Sequence, residues 1–204
     1  TFGESWSTGD TYNMSIGQGF LETSPLQMLN ATAAVANGGT LYRPQLLFKV
    51  VDQSGRVVRD FQPEVIRYLP VELTYLATVR EGMEAVVEYG TGKDAQVEVN
   101  GERIRVAGKT GTAEFFCPED ELTQGLCRRG RPLPTHAWFT AFAPVENPEI
   151  ALVVYVYNGG EGSQVSAPIA HDILEWYFQR KVDTAAEFIT PVETPAPDAE
   201  PTTP

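Results

Sequence analysis

Residues 150–157 constrain the fold of this chain more than any other segment, because they predict a β-strand that is apolar on both sides. Side chains alternate between the two faces of a strand. Isoleucine, leucine and valine occupy the even positions from 150 to 156, and alanine, valine and tyrosine occupy the odd positions from 151 to 157. A strand of this kind is buried on both faces. The sequence therefore predicts a central strand that is covered on each side.

Two earlier segments predict further strands of the same sheet. Residues 103–116 and 137–143 carry strand-type side chains, and only the tight connection at residues 144–148 separates the second of them from residues 150–157. A connection this short joins antiparallel neighbours. A central strand needs a neighbour on both edges, and the chain offers an obvious one on one edge. We expect the other neighbour to come from polypeptide that precedes Thr1.

Helical periodicity marks three segments. Residues 25–36 follow Thr23 and Ser24, either of which can cap a helix. Residues 70–88 are the second segment, and Gly82 in its interior predicts close packing. Residues 166–180 close the domain. The closing helix is predicted to cover the central strand with one apolar stripe, formed by Ile169, Ile173, Trp176 and Tyr177. Helices that flank an antiparallel sheet define an α+β fold.

Two segments are predicted to lie outside this core. Residues 46–51 and 56–61 predict a peripheral hairpin whose turn contains Gly55. Residues 184–204 are dominated by Thr, Pro, Ala, Glu and Asp, which is typical of disordered segments. We therefore predict one domain, residues 1–183, followed by a disordered acidic tail.

The charge of the chain argues against a nucleic acid partner. The formal net charge is -12, and the 15 lysines and arginines form no dense basic run. The sequence also contains no apolar run long enough to cross a membrane. Any membrane anchor is therefore expected outside this chain, and an anionic ligand needs a local positive group.

Cys117 and Cys127 lie in a polar loop and admit three interpretations. They can form a disulfide if the protein works outside the cytoplasm. They can bind zinc together with His136 and an acidic residue at 119 or 120, although neither cysteine belongs to a C-x-x-C pair. They can also be two free thiols. We predict the disulfide, no metal site and no cofactor.

Lys109 lies in a predicted strand between Gly108 and Gly111, with threonines at 110 and 112. Glycine weakens a strand interior and often marks a place where another group approaches the backbone. One ammonium group and two hydroxyls can hold a carboxylate, and a free backbone N–H can bind an oxyanion. The alternative is an exposed strand with a solvated lysine. We interpret residues 108–113 as an anion-binding strand at the rim of a cleft.

The same residues resemble a motif of penicillin-binding proteins and serine β-lactamases. In those enzymes Lys-Thr-Gly accompanies an S-x-x-K motif and a Ser-x-Asn triplet. The surrounding sequence is similar to class B penicillin-binding proteins, in particular the elongation-type penicillin-binding protein 2 group. The similar segments are residues 6–11, 15–19, 24–28, 136–144 and 158–162.

The resemblance implies a β-lactamase/transpeptidase-like fold, of which this chain is the C-terminal portion, and a D,D-transpeptidase that cross-links peptidoglycan stem peptides through a serine acyl-enzyme. It implies that Lys109, Thr110, Gly111 and Thr112 bind the carboxylate of a terminal D-alanine or a β-lactam. It implies that Lys109 biases nearby proton transfer and that the N–H of Thr112 is half of the oxyanion hole. It also implies envelope elongation partners and a location at the outer face of the cytoplasmic membrane.

One departure from the family pattern limits these expectations. Neither S-x-x-K nor Ser-x-Asn occurs anywhere in the 204 residues. We therefore predict that the N-terminal remainder of the same protein carries the nucleophile and that this chain alone is inactive. The alternatives are a serine β-lactamase, a D,D-carboxypeptidase or a β-lactam sensor of the same fold, and a non-catalytic carboxylate-binding domain.

Several other polar and aromatic side chains are assigned structural roles. Asp10 and Gln18 are predicted to make turn hydrogen bonds rather than substrate contacts. His136 is predicted to bind local backbone groups. Trp138 and Trp176 are predicted to lie in the core, and His171 on the surface.

Overall fold

A computed structural model describes residues 5–128, 130 and 132–189 of the chain. Its helices are α1 (Thr8–Ser15), α2 (Pro25–Ala36), α3 (Leu73–Glu88), α4 (Glu119–Thr123) and α5 (Ser166–Ile189), and a 3-10 turn covers Lys93–Ala95. Its strands are β1 (Thr40–Tyr42), β2 (Lys49–Val51), β3 (Val57–Asp60), β4 (Val65–Tyr68), β5 (Val97–Val99), β6 (Glu102–Ile104), β7 (Ala107–Glu114), β8 (Thr135–Ala143) and β9 (Ile150–Val156).

The main sheet has three antiparallel strands in the order β7-β8-β9. Lys109 pairs with Thr140 of β8, and Thr140 pairs with Val153 of β9. The predicted antiparallel α+β architecture is thereby confirmed. Among the described residues β9 pairs with β8 alone, so the second neighbour of this strand stays a prediction.

Helices cover β9 on both faces, as its two apolar sides predict. On one face Leu152 and Val154 are buried against Leu174 and Phe178 of α5. On the other face α2 packs against the sheet, and Ala151 adjoins the cluster that contains Ala36 of α2 and Phe142 of β8. The main sheet is therefore the middle layer of three.

The predicted apolar stripe of the closing helix is wrong for three of its four members, and Tyr177 alone of the four packs against the core cluster. Ile169 and Ile173 are 38% and 42% exposed, and Trp176 is 65% exposed. The face that packs on the sheet lies one position away and is formed by Ala167, Ala170, Leu174 and Phe178. The two alanines let the helix backbone approach the sheet closely, which larger side chains at these positions would prevent.

Strand and helix limits also differ from the prediction in two places. The single strand predicted at residues 103–116 is broken, because β6 turns back onto β5 through Asn100 and Gly101, both with positive φ. An Asn-Gly pair is the strongest short hairpin signal in a sequence. Helix α5 continues to Ile189, so the predicted tail begins inside a helix, and residues 190–204 lie outside the described residues.

Other local predictions are confirmed. Ser24 caps α2 in a reciprocal capping box with Gln27, and Pro25 takes the first helical position. Strands β2 and β3 form the predicted peripheral hairpin. Within the described part of the chain, no helix is long and apolar enough to span a membrane.

Gly82 in α3 does not permit close packing, contrary to the prediction. A Cβ atom added at Gly82 has no neighbour within 4 Å, and the residue is exposed. We therefore expect Gly82→Ala to stabilise the protein by about 0.5–1 kcal/mol, because alanine restricts the unfolded chain more than glycine does. Thermal unfolding of the two proteins measures the difference.

Gly38 provides the matched control for that substitution. A Cβ atom added at Gly38 also has no neighbour within 4 Å, but the φ of this residue is +81°. Gly38→Ala should therefore destabilise the protein, because a left-handed backbone disfavours side chains. An unchanged or lower melting temperature for Gly82→Ala would mean that α3 packs against something at this position.

Candidate active site

The predicted motif lies on β7, which forms one edge of the main sheet. Among the residues that the structure describes, β7 pairs with β8 alone, through each residue from Ala107 to Glu114. The side of β7 that faces away from β8 is its outward edge, and two side chains donate hydrogen bonds to carbonyl groups on this edge. Lys109 Nζ donates to the carbonyl of Thr110 at 2.8 Å, and Gln18 Nε2 donates to the carbonyl of Thr112 at 2.9 Å. Since a residue's N–H and C=O point to the same side of an antiparallel strand, the N–H of Thr112 also faces outward.

The motif side chains leave β7 on opposite faces. Lys109 is opposite Thr140, whose hydroxyl bonds Thr32 of α2 at 2.5 Å, so the lysine lies on the α2 face. Thr110 is opposite Phe139, which packs against α5. Thr112, two residues further, shares that face. A ligand that contacts the lysine and both threonines must therefore lie along the outward edge of β7.

Both threonine hydroxyls have side-chain partners. Thr110 Oγ1 and Thr91 Oγ1 are 2.7 Å apart. Thr112 Oγ1 donates to Glu161 Oε2 at 3.0 Å and accepts from the N–H of Gly162 at 3.5 Å. Thr91 follows α3, and Glu161 lies in the turn between β9 and α5. Neither residue was predicted for this site.

The glycines of the motif have a packing role as well as a position beside the site. A Cβ at Gly108 would lie 2.5 Å from the ring of Phe139, and one at Gly111 would lie 3.1 Å from Trp138 Cβ. The backbone of Gly162 crosses over Gly111, because a Cβ at Gly162 would lie 2.4 Å from the Gly111 carbonyl oxygen. At Gly111, the group that approaches the strand is therefore the backbone of Gly162.

Gln18 makes the predicted turn hydrogen bond, from its N–H to the Asn13 carbonyl at 2.9 Å, and its side chain also contacts the motif strand, which was not predicted. Its side-chain amide spans a sequence distance of 94 residues to reach the Thr112 carbonyl. Asp10, in contrast, forms the predicted local hydrogen bonds. It completes a capping box with Ser7 at the start of α1, and the backbone N–H of Ser7 lowers the pKa of this carboxyl.

His136 binds a local backbone group, as predicted. Its Nδ1 accepts from the N–H of Asn158 at 3.1 Å, and its ring stacks on Phe115 at 4.0 Å. Burial lowers the pKa of the imidazole, which favours the unprotonated Nδ1 that this hydrogen bond needs. His171, which was predicted to lie on the surface, is half-buried and bonds the Gln96 carbonyl.

The loop between β7 and β8 contains the two cysteines. Cys117 and Cys127 are bonded to each other, with Cα atoms 6.1 Å apart. Asn158 fixes the loop from outside by donating to the Leu126 carbonyl at 3.1 Å. Among the residues that the structure describes, no cluster of three or more potential metal ligands occurs.

Comparison with known proteins identifies the family to which this chain belongs. A profile of the penicillin binding protein transpeptidase domain matches residues 2–175. The chain belongs to this family. The peptidoglycan D,D-transpeptidase MrdA of Haemophilus influenzae is 32% identical over 193 residues, which cover 92% of this chain and 29% of that protein. The chain thus spans less than a third of the length of this curated relative.

Solved structures of the family share the fold. The crystal structure of PBPA from Mycobacterium tuberculosis is 29% identical with a TM-score of 0.66, and the match covers 85% of this chain and 38% of that one. A penicillin G acyl-enzyme complex of penicillin-binding protein A from M. tuberculosis is 30% identical with a TM-score of 0.61, covering 82% and 34% of the two chains. The transpeptidase fold predicted from the resemblance is confirmed.

Proposed function

We propose that this chain forms the carboxylate-binding wall of a peptidoglycan D,D-transpeptidase active site. One observation carries the proposal: Lys109, Thr110 and Thr112 adjoin the outward edge of β7, toward which the N–H of Thr112 is also directed. The relative from H. influenzae bears the name of this activity. The acyl-enzyme complex of the M. tuberculosis protein supports β-lactams as ligands.

Each group has a distinct role in this proposal. The Lys109 ammonium attracts the carboxylate of a terminal D-alanine or a β-lactam and favours proton transfer nearby. The hydroxyls of Thr110 and Thr112 donate hydrogen bonds to that carboxylate. The N–H of Thr112 stabilises the negative charge that develops on the carbonyl oxygen under attack. Gly111 lets the backbone of Gly162 pack closely against β7.

The attacking serine is proposed to lie outside these 204 residues. The sequence contains neither S-x-x-K nor Ser-x-Asn, and the matched relative is more than three times longer than the segment it shares with this chain, since that segment covers 29% of it. We infer that the N-terminal remainder of the protein supplies the nucleophile and its base, and also the membrane anchor. The site then faces the outer side of the cytoplasmic membrane, where stem peptides and elongation proteins are the partners.

Labelling with a fluorescent penicillin tests the proposed function. We expect the full-length protein to retain the label covalently and release it slowly, and peptide mapping to locate it on a serine outside residues 1–204. The chain of 204 residues, expressed alone, should stay unlabelled because it lacks the nucleophile. Absence of label on the full-length protein contradicts the proposal, and rapid hydrolysis of the penicillin indicates a β-lactamase instead.

A further inference from the structure

Glu161 places a carboxylate at the position where the proposed function requires a ligand's carboxylate to bind. Its Oε2 accepts a hydrogen bond from Thr112 Oγ1 at 3.0 Å. A threonine hydroxyl has one proton to donate. When Thr112 donates to Glu161, it cannot donate to a ligand. The chain's own carboxylate therefore competes with the ligand for this hydroxyl.

The backbone of the turn that carries Glu161 is packed between β7 and α5. The N–H of Gly162 donates to Thr112 Oγ1, and the carbonyl of Gly162 accepts from the N–H groups of Ser166 and Ala167 at the start of α5. Gly162 is buried against the backbone of Gly111. The residue next to Glu161 is thus fixed between β7 and α5, and Glu161 stays beside the motif.

Charge adds to the competition for the hydroxyl. Glu161 is exposed, so its interaction with a second carboxylate is screened by water and salt. Two carboxylates that compete for one hydroxyl lie close together. Their repulsion then weakens or slows the binding of the ligand by about three- to tenfold. Lys109 leaves β7 on the other face of the sheet, so it does not displace the hydrogen bond between Thr112 and Glu161.

We propose that Glu161 is a specificity-determining residue of this site: it occupies the Thr112 hydroxyl without ligand and slows the capture of carboxylate ligands. This inference rests on the proposed function. It explains why a site for anions carries an acidic side chain on its rim. Ligands with few other contacts are disfavoured most, because the cost of displacing Glu161 is a larger fraction of their binding free energy.

The rate of acylation by a monoanionic penicillin tests the inference in the full-length protein. Glu161→Gln removes the charge but keeps an oxygen that can accept, and Glu161→Ala removes both. We expect both variants to acylate about three- to tenfold faster than the wild type at low salt, with the ratio falling as ionic strength rises. Glu102→Gln, at an exposed glutamate on β6, is the control and should keep the wild-type rate.

The outcomes separate this inference from the proposed function. Wild-type or slower rates for both Glu161 variants, in a wild-type protein that is acylated, overturn the inference alone. For Glu161→Gln, which keeps an acceptor and loses only the charge, a faster rate that does not depend on salt also overturns it, because an effect of charge is screened by salt. If the wild-type protein is not acylated at all, the proposed function and the inference fail together.

Discussion

Replacing Lys109 with alanine should slow acylation of the full-length protein by a penicillin roughly 10- to 100-fold. Hydrogen bonds to charged groups are worth about 1.5–3 kcal/mol, and each 1.4 kcal/mol is a factor of about ten. Lys109 is exposed, and its ammonium donates to the carbonyl of Thr110. Because the side chain is not part of a core cluster, thermal unfolding should change little. Labelling kinetics at several penicillin concentrations measure the loss.

Lys49 provides a comparison for the Lys109 result. It is an exposed lysine on the β2 strand of the peripheral hairpin, so Lys49→Ala changes the net charge equally without touching β7. We expect wild-type acylation for this variant. If both substitutions slow the reaction equally, the effect comes from the overall charge, and the assigned role of Lys109 is wrong.

A methyl group at Gly162 should damage both stability and activity. The Cβ of Gly162→Ala would lie 2.3 Å from the Trp138 carbonyl oxygen and 2.4 Å from the Gly111 carbonyl oxygen. Backbone atoms cannot rotate away as a flexible side chain does, so β7 and the start of α5 must separate. We expect a loss of about 3 kcal/mol or more in the free energy of unfolding. Acylation should fall about a hundredfold, because a shift of about 1 Å in a catalytic group has that effect.

Gly160 is the matched control in the same turn. A Cβ at Gly160 has no neighbour within 4 Å, but its φ is +83°. Gly160→Ala should therefore cost about 1–2 kcal/mol from backbone strain alone, with a smaller loss of acylation. Denaturant unfolding and penicillin labelling measure both quantities. If Gly162→Ala is as stable as the wild type, the contact between the turn and β7 is not as close as described.

The sequence predicted the elements of the fold better than the faces that they bury. The alternation in residues 150–157 correctly predicted a strand covered twice, because both faces of β9 are visible in its own side chains. The stripe predicted on α5 was wrong for Ile169, Ile173 and Trp176, because apolar side chains occur on more than one side of this helix. Which side faces the sheet depends on how closely Ala167 and Ala170 let the helix approach.

The candidate site shows the same division. Lys109, Thr110, Gly111 and Thr112 are adjacent in the sequence, and their residue types suggest an anion site without any structure. Gln18, Thr91 and Glu161 contact the same strand from sequence distances of 94, 19 and 49 residues. Their pattern in the sequence gives no sign of these contacts. Only a Gly-rich turn at residues 158–162 marked the neighbourhood of Glu161.

The sequence by itself determined strands β8 and β9, the peripheral hairpin of β2 and β3, the capped helix α2 and the motif on β7, because propensity, capping and alternation act between residues a few positions apart. The tertiary structure decided which face of α5 is buried, which groups hold the two threonine hydroxyls, and that Lys109 lies on the α2 face of the sheet and Thr112 on the α5 face. Those outcomes depend on the distance between packed backbones. That distance is set by the side chains of several elements together, and no local pattern contains it.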